Sequence, residues 1–217
     1  HNYLTTFIFS VDFRNEYTAL HTNYAVQLSE QIANILRLPE ESRKIIQLAA
    51  MLHNIGKISL PSALSSMKDY HQYLSELYCC STMDTTREIL SGSVESEILN
   101  TINDSLLLLE CWANNRPPDF EPPVEAETVA LSYLMSDSMT PELNFTLYHY
   151  PKLLSTLQEK YRSCKMDDKL LRVLEKHFDQ VILKTQNCCA NIYNTFHRMM
   201  DEDHSLNMIL MHYNKKY

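Results

Sequence analysis

The chain has 217 residues, of which 45% are hydrophobic, and its formal net charge at pH 7 is −8. This length and composition are sufficient for one domain with a large buried core, or for one domain with an appendage. The acidic charge and the lack of a basic stripe argue against a nucleic-acid partner. No apolar run approaches the roughly 20 residues that cross a bilayer, so we expect no membrane insertion by this segment.

Two long helices are predicted in the first quarter of the chain, because apolar residues recur there at spacings of three and four. The first runs from about 18 to 37, with Leu28 and Ile32 on its inner face. The second begins where Pro39 is followed by two glutamates, since proline and acidic residues suit a first helical turn. It ends at His53.

The rest of the chain keeps the same spacing and predicts further helices at about 70–80, 84–91, 94–112, 125–137, 150–162, 167–178, 181–200 and 204–212. The stretch 114–123 must be a loop, because it contains four prolines within seven residues. A second break is predicted at Thr140 and Pro141. No strand alternation persists, so the predicted fold class is all-α. With only two glycines, we expect few backbone positions with positive φ.

The six cysteines form two adjacent pairs and two single residues, and their positions match no zinc-binding spacing. We therefore expect reduced thiols and a cytoplasmic localisation. The first residues, His1 to Leu4, contain neither an initiator methionine nor the pattern of a signal peptide. Such a start is expected of a fragment of a longer protein, or of a mature form that retains part of a tag.

A candidate metal site lies at the end of the second predicted helix. His53 is followed there by Asn54, and His21 lies at the start of the first helix. If the two helices pack antiparallel, these ends meet, and two histidines with an acid could hold a divalent metal. Lys57 follows one turn later, where its ammonium could face a phosphate. The alternative is structural: two buried, hydrogen-bonded histidines, Asn54 as a helix cap, and a solvated charge at Lys57.

The residues around this site resemble the HD-GYP phosphodiesterases of bacterial cyclic di-GMP signalling. The specific part of the resemblance is Leu48-Ala49-Ala50-Met51-Leu52-His53-Asn54-Ile55-Gly56-Lys57-Ile58, with Leu60-Pro61 after it and Tyr17-Thr18-Ala19-Leu20-His21 before it. Weaker matches continue through Glu88-Ile89-Leu90, Glu110-Cys111-Trp112, Pro118, Asp168 and Phe178. The resemblance covers about residues 12–178. It implies an HD-domain helical bundle over 1–178, with a C-terminal helical extension over 179–217 packed on it.

Carried over position by position, the resemblance keeps His21 and His53 among the metal ligands and places Asn54 where the family has an aspartate. The other ligand positions fall on Tyr17, Thr82, Leu108, Leu109 and Ser132, or on Leu134 for the last if the register is shifted to suit Asp137. The GYP triplet falls on Arg116-Pro117-Pro118. An amide brings no charge to offset a cation, and leucines make the cavity apolar. We therefore expect no bound cofactor; if one binds, it is a divalent iron, manganese or zinc ion held weakly by the two histidines.

The sequence supports three functions. The first is a catalytically degenerate HD-GYP-like module that acts in bacterial signal transduction by contact with a protein partner or by homodimerisation. The second is a metal-dependent phosphohydrolase or cyclic di-GMP phosphodiesterase with an altered site, in which Glu16, Glu76 or Asp84 supplies an acid. The third is a metal-free sensor that binds a cyclic dinucleotide and uses Lys57. We favour the first function, because so few ligands persist.

Overall fold

The computed structural model describes residues 16–56, 75–140 and 145–190, and within these residues the chain forms seven helices and no strand. The predicted all-α class is therefore confirmed. The helices are α1 (Glu16–Ile35), α2 (Glu40–Leu52), α3 (Ser75–Leu90), α4 (Ser96–Ala113), α5 (Val124–Met139), α6 (Tyr150–Ser163) and α7 (169–190). None of the helices described is both long enough and apolar enough to cross a membrane.

Helix α3 runs without interruption through 81–83, where the sequence predicts a break. Two buried residues, Met83 and Leu90, lie two turns apart on it, and Thr86 between them is also buried. These positions form one inward face at helical spacing, and burial of that face favours a single helix. The predicted break at 81–83 is therefore wrong.

Helix α7 likewise continues through 179–180, where a break was also predicted. The buried residues of this helix recur every three or four positions on both sides of that point, at Leu171, Leu174, Phe178, Val181, Ile182, Thr185 and Cys189. Asp179 and Gln180 are exposed on the opposite face and interrupt nothing. The proposed boundary between 178 and 179 thus falls in the middle of one helix.

The core consists of two clusters of buried side chains that share α1, α4 and α5. One cluster joins these helices to α6 and α7 and contains Trp112, which is 1% exposed. The other joins them to α2 and α3 around Ile46 and Ile102, each 0% exposed. Helix α1 packs against α2 on one side and α5 on the other. This arrangement places the start of α1, the end of α2 and the second half of α5 together.

Three helices end at a residue other than glycine in the left-handed conformation. Arg37, Asn115 and Lys165 have φ values of 54°, 49° and 54°. In each case the backbone N–H of the next residue donates a hydrogen bond to the carbonyl of the residue five positions earlier. The N···O distances are 3.0–3.1 Å, for Leu38 to Ala33, Arg116 to Cys111 and Met166 to Tyr161. These bonds satisfy helix-end carbonyls and offset the unfavourable φ. Positive φ is therefore uncommon in the described residues, as the glycine count predicts, and three of these positions are filled by residues other than glycine.

Candidate functional site

The structure brings His21 and His53 together. His21 lies in the second turn of α1, and His53 directly follows the last residue of α2. Their ring centroids are 5.6 Å apart, and the two residues are 0% and 4% exposed. Because both rings are removed from water, every polar atom on them needs a protein partner.

Asn54 supplies such a partner to His21. Its amide nitrogen Nδ2 lies 3.2 Å from Nδ1 of His21 and donates to the Thr22 hydroxyl at 3.1 Å. An amide NH₂ can only donate, so Nδ1 of His21 must accept. Nδ1 is therefore unprotonated, and its lone pair is used by Asn54. That lone pair is the one a metal ion would need.

The other nitrogen of His21 faces the last turn of α5. Nε2 lies 2.9 Å from the Asp137 carboxylate oxygen Oδ1 and 2.9 Å from the Ser136 hydroxyl. The Ser136 hydroxyl donates its own proton to the Tyr133 carbonyl at 2.8 Å, so it accepts from His21. Nε2 therefore carries the proton, and the arrangement suits a neutral ring that donates to α5 and accepts from Asn54.

The ring of Tyr133 lies against both histidines. Its centroid is 4.6 Å from that of His21 and 4.8 Å from that of His53, with interplanar angles of 70° and 80°. These are edge-to-face contacts, which favour aromatic packing in a buried setting. Space beside the two imidazoles is thus filled by an aromatic side chain.

His53 is held in a different way. Its Nδ1 contacts the Ala50 carbonyl, one turn back in α2. A carbonyl can only accept, so Nδ1 carries the proton and Nε2 has the lone pair in the neutral ring. Among the described residues, no group of three or more histidine, cysteine, aspartate or glutamate side chains is arranged to hold a metal ion. The geometry is that of a packed hydrogen-bond network that joins α1, α2 and α5.

Of Lys57 and the three candidate acids, only Asp84 has a described side chain, and it does not join this network. Lys57 lies outside the described residues, as do the side chains of Glu16 and Glu76. Asp84 is exposed and pairs with Arg87 at 3.3 Å on the surface of α3. It is therefore not the supplementary acid that the phosphohydrolase hypothesis needs.

The positions that the resemblance assigns to paired histidines and to GYP have other roles. Leu108 is fully buried in the core, and Leu109 packs against both clusters. Pro117 and Pro118 line a cavity together with Leu36, at the end of α1 opposite to His21. The loop that would carry GYP is thus separated from the histidines by most of the length of α1.

The α5 side of this network consists of Tyr133, Ser136 and Asp137. The sequence did not predict that these three residues contact His21. It assigned the last ligand to Ser132, or to Leu134 in a register chosen to suit Asp137, and passed over Tyr133 between them. Residues four apart share a helix face, so Tyr133 and Asp137 form a pair recognisable from spacing. The hydrophobic pattern did not reveal that face, because α5 is buried on almost every side.

Comparisons with known proteins return no match to this chain among family models, curated proteins or solved structures.

Proposed function

We propose that this chain is a catalytically degenerate HD-GYP-like module that acts in signal transduction by protein contact or homodimerisation. The observation that carries the proposal is the donor that Asn54 directs at His21. In a metal-binding site, the position of Asn54 would supply a carboxylate and leave the imidazole lone pair to the cation. Here the same position supplies an N–H group 3.2 Å from that lone pair.

Two further observations support a role without hydrolysis. The Tyr133 ring lies within 5 Å of both imidazole centroids. Asp137 accepts a hydrogen bond from the protonated nitrogen of the His21 ring. A divalent ion bound at Nδ1 of His21 would displace the Asn54 hydrogen bond, and its charge would enter a site packed against an aromatic ring.

A surface suited to contact lies where the segment after α5 meets α7. Leu147, Tyr148 and Leu183 are 69%, 89% and 57% exposed. The Phe145 carbonyl, just before the first two, accepts from Gln186, one helical turn after Leu183. This bond holds the loop beside that part of α7, which places the three exposed side chains in the same region of the surface. Exposed apolar side chains that lie close together are typical of interaction sites.

The loss of catalysis is tested by two measurements on tag-free protein, its metal content and its hydrolysis of cyclic di-GMP. We expect less than stoichiometric iron, manganese and zinc, and no product. Asn54→Asp alone should gain no metal, because Tyr133 still fills the space beside the histidines. One tightly bound ion in the unmodified protein, with turnover lost in His53→Ala, would instead establish the altered phosphohydrolase. Saturable cyclic di-GMP binding without turnover would establish the sensor.

The test of contact is the molar mass in solution, measured by light scattering over a concentration series. For a homodimer, Leu147→Ser with Tyr148→Ser should shift the equilibrium to the monomer. The matched control is Lys152→Ser, at an exposed position in the first turn of α6. A monomer at all concentrations would direct the search to a different protein partner. A dimer unchanged by the double substitution would exclude this surface.

A further inference from the structure

A second site is suggested by a cavity of about 480 Å³ at the end of α1 remote from the histidines. Its walls come from the loop 114–123, from the start of α5, and from the turn between α6 and α7. The apolar part includes Leu36, Pro118, Phe120, Val124, Leu170 and Val173. A volume of this size and a mainly apolar wall with a few polar groups are typical of small-molecule sites.

Glu127 is the polar group of greatest interest in this cavity. It lies in the first turn of α5 and lines the cavity, while its oxygen Oε1 accepts a hydrogen bond of 2.6 Å from the Tyr161 hydroxyl. Burial raises the pKa of Glu127, the Tyr161 hydrogen bond lowers it, and the charge of Asp167 raises it. Among the described residues, no lysine or arginine contributes to this pKa. In the part of the chain that the structure describes, the carboxylate has the Tyr161 hydroxyl as a hydrogen-bond partner and no ion pair with a lysine or an arginine.

The charged groups of the cavity, with Glu127 included, have an acidic balance. Three carboxylates, those of Glu121, Glu127 and Asp167, face two amines, those of Lys165 and Lys169. The Lys169 ammonium lies 2.6 Å from the Asp167 carboxylate, so these two charges offset each other. Glu121 and Lys165 are both exposed, at the rim of the cavity. The half-buried charge that remains is negative and lies next to an apolar wall.

We propose that this cavity binds an organic cation, a protonated amine carried on a flat apolar body. The ammonium donates a charge-assisted hydrogen bond to the Glu127 carboxylate. This bond compensates the cost of keeping a half-buried charge beside an apolar wall. The apolar body packs against Phe120 and the proline side chains, and the Phe120 ring attracts the cation as well. This binding needs neither a metal nor the histidines, so it is independent of the proposed signalling role.

The test uses calorimetric titration with three probes of nearly equal shape: benzylamine, benzyl alcohol and benzoate. Benzylamine should bind at millimolar concentrations, and at least about tenfold more tightly than benzyl alcohol, as expected of a charge-assisted hydrogen bond. Benzoate should bind most weakly, because its carboxylate would face that of Glu127.

Glu127→Gln is the deciding variant, because glutamine keeps the size and the carbonyl acceptor for Tyr161 while it removes the charge. Benzylamine affinity should fall about tenfold or more, and the preference over benzyl alcohol should disappear. The matched control, Glu121→Gln at the rim, should change affinity less than about threefold. Thermal unfolding checks that both variants are folded.

Three results would overturn the proposal. The first is no saturable binding of benzylamine to the unmodified protein. The second is equal affinity for benzylamine in Glu127→Gln and the unmodified chain. The third is tightest binding of benzoate with loss of that binding in Lys165→Met, which would assign the cavity to an anion.

Discussion

Replacing Asn54 by alanine should remove the link that joins the start of α1 to the end of α2. The change loses two hydrogen bonds, to His21 and Thr22, each worth about 1 kcal/mol net. It also leaves the buried Nδ1 of His21 without its amide donor, at a cost of about 1–2 kcal/mol. The Asn54 carbonyl oxygen is buried and has no hydrogen-bond partner among the described residues, so its removal returns about 1 kcal/mol.

The expected net loss of unfolding free energy is therefore about 2–3 kcal/mol. For a chain of this length, each kcal/mol lowers the melting temperature by about 2–4 °C. Urea unfolding can be followed by the fluorescence of Trp112, the single tryptophan, which is 1% exposed and lies in the core. The slope of the transition should stay constant, since the change removes contacts without altering how much surface unfolding exposes.

Asn34→Ala is the matched control. Asn34 is an exposed asparagine on α1, and its side-chain oxygen Oδ1 accepts a hydrogen bond from the Arg43 guanidinium at 3.1 Å. Its replacement should change the unfolding free energy by no more than about 0.5 kcal/mol. If Asn54→Ala unfolds at the same urea concentration as this control, the hydrogen-bond network is not a stabilising link, and the reasoning fails.

Three further predictions concern other parts of the chain. Lys165→Gly should raise the unfolding free energy by about 0.5–1 kcal/mol, because glycine accepts the φ of 54° without strain; a loss in urea unfolding would contradict this. Burial raises the pKa of Glu127, so the folded chain binds this proton more tightly than the unfolded chain. The contribution of this group to stability therefore falls as pH rises above 4.5. Glu127→Gln should therefore show a smaller decrease in stability with pH, measured by urea unfolding, and an unchanged profile would contradict the assignment. Cys188 is exposed, whereas burial raises the pKa of Cys189 to about 12. Iodoacetamide at pH 8 should therefore label Cys188 at least about a hundredfold faster than Cys189, as measured by peptide mass spectrometry. Equal labelling of the two thiols would contradict the burial of Cys189.

The sequence predicted the helices better than the contacts between them. Spacing of apolar residues placed α1, α2, α4, α5 and α6 to within about two residues, because one buried face is enough to define an amphipathic helix. The errors came from polar residues inside helices. Asp179 and Gln180 were interpreted as a break, although Phe178, Val181 and Ile182 continue a single buried face around them. Tertiary packing overrides such local signals.

The site was predicted only in part, for a related reason. The meeting of His21 and His53 followed from antiparallel packing of two predicted helices. The third side of the site depends on the rotation of α5, and a helix with buried residues on nearly all sides gives no periodic signal for that rotation. Tyr133 and Asp137 could be assigned to the histidines only once the helix was seen in place.

The network also accounts for two histidines buried side by side in terms of the protein's own hydrogen bonds. A divalent cation between them would need carboxylates to balance its charge, and a bare cation in an apolar core is costly. Asn54 instead brings a neutral donor to the lone pair of His21, and Asp137 at the edge of the core accepts a hydrogen bond from Nε2–H of the same ring. Each ring nitrogen of His21 is satisfied without adding a fully buried charge. His21 and Asn54, which the resemblance aligns with metal-ligand positions, therefore link three helices here, and their substitution should lower stability.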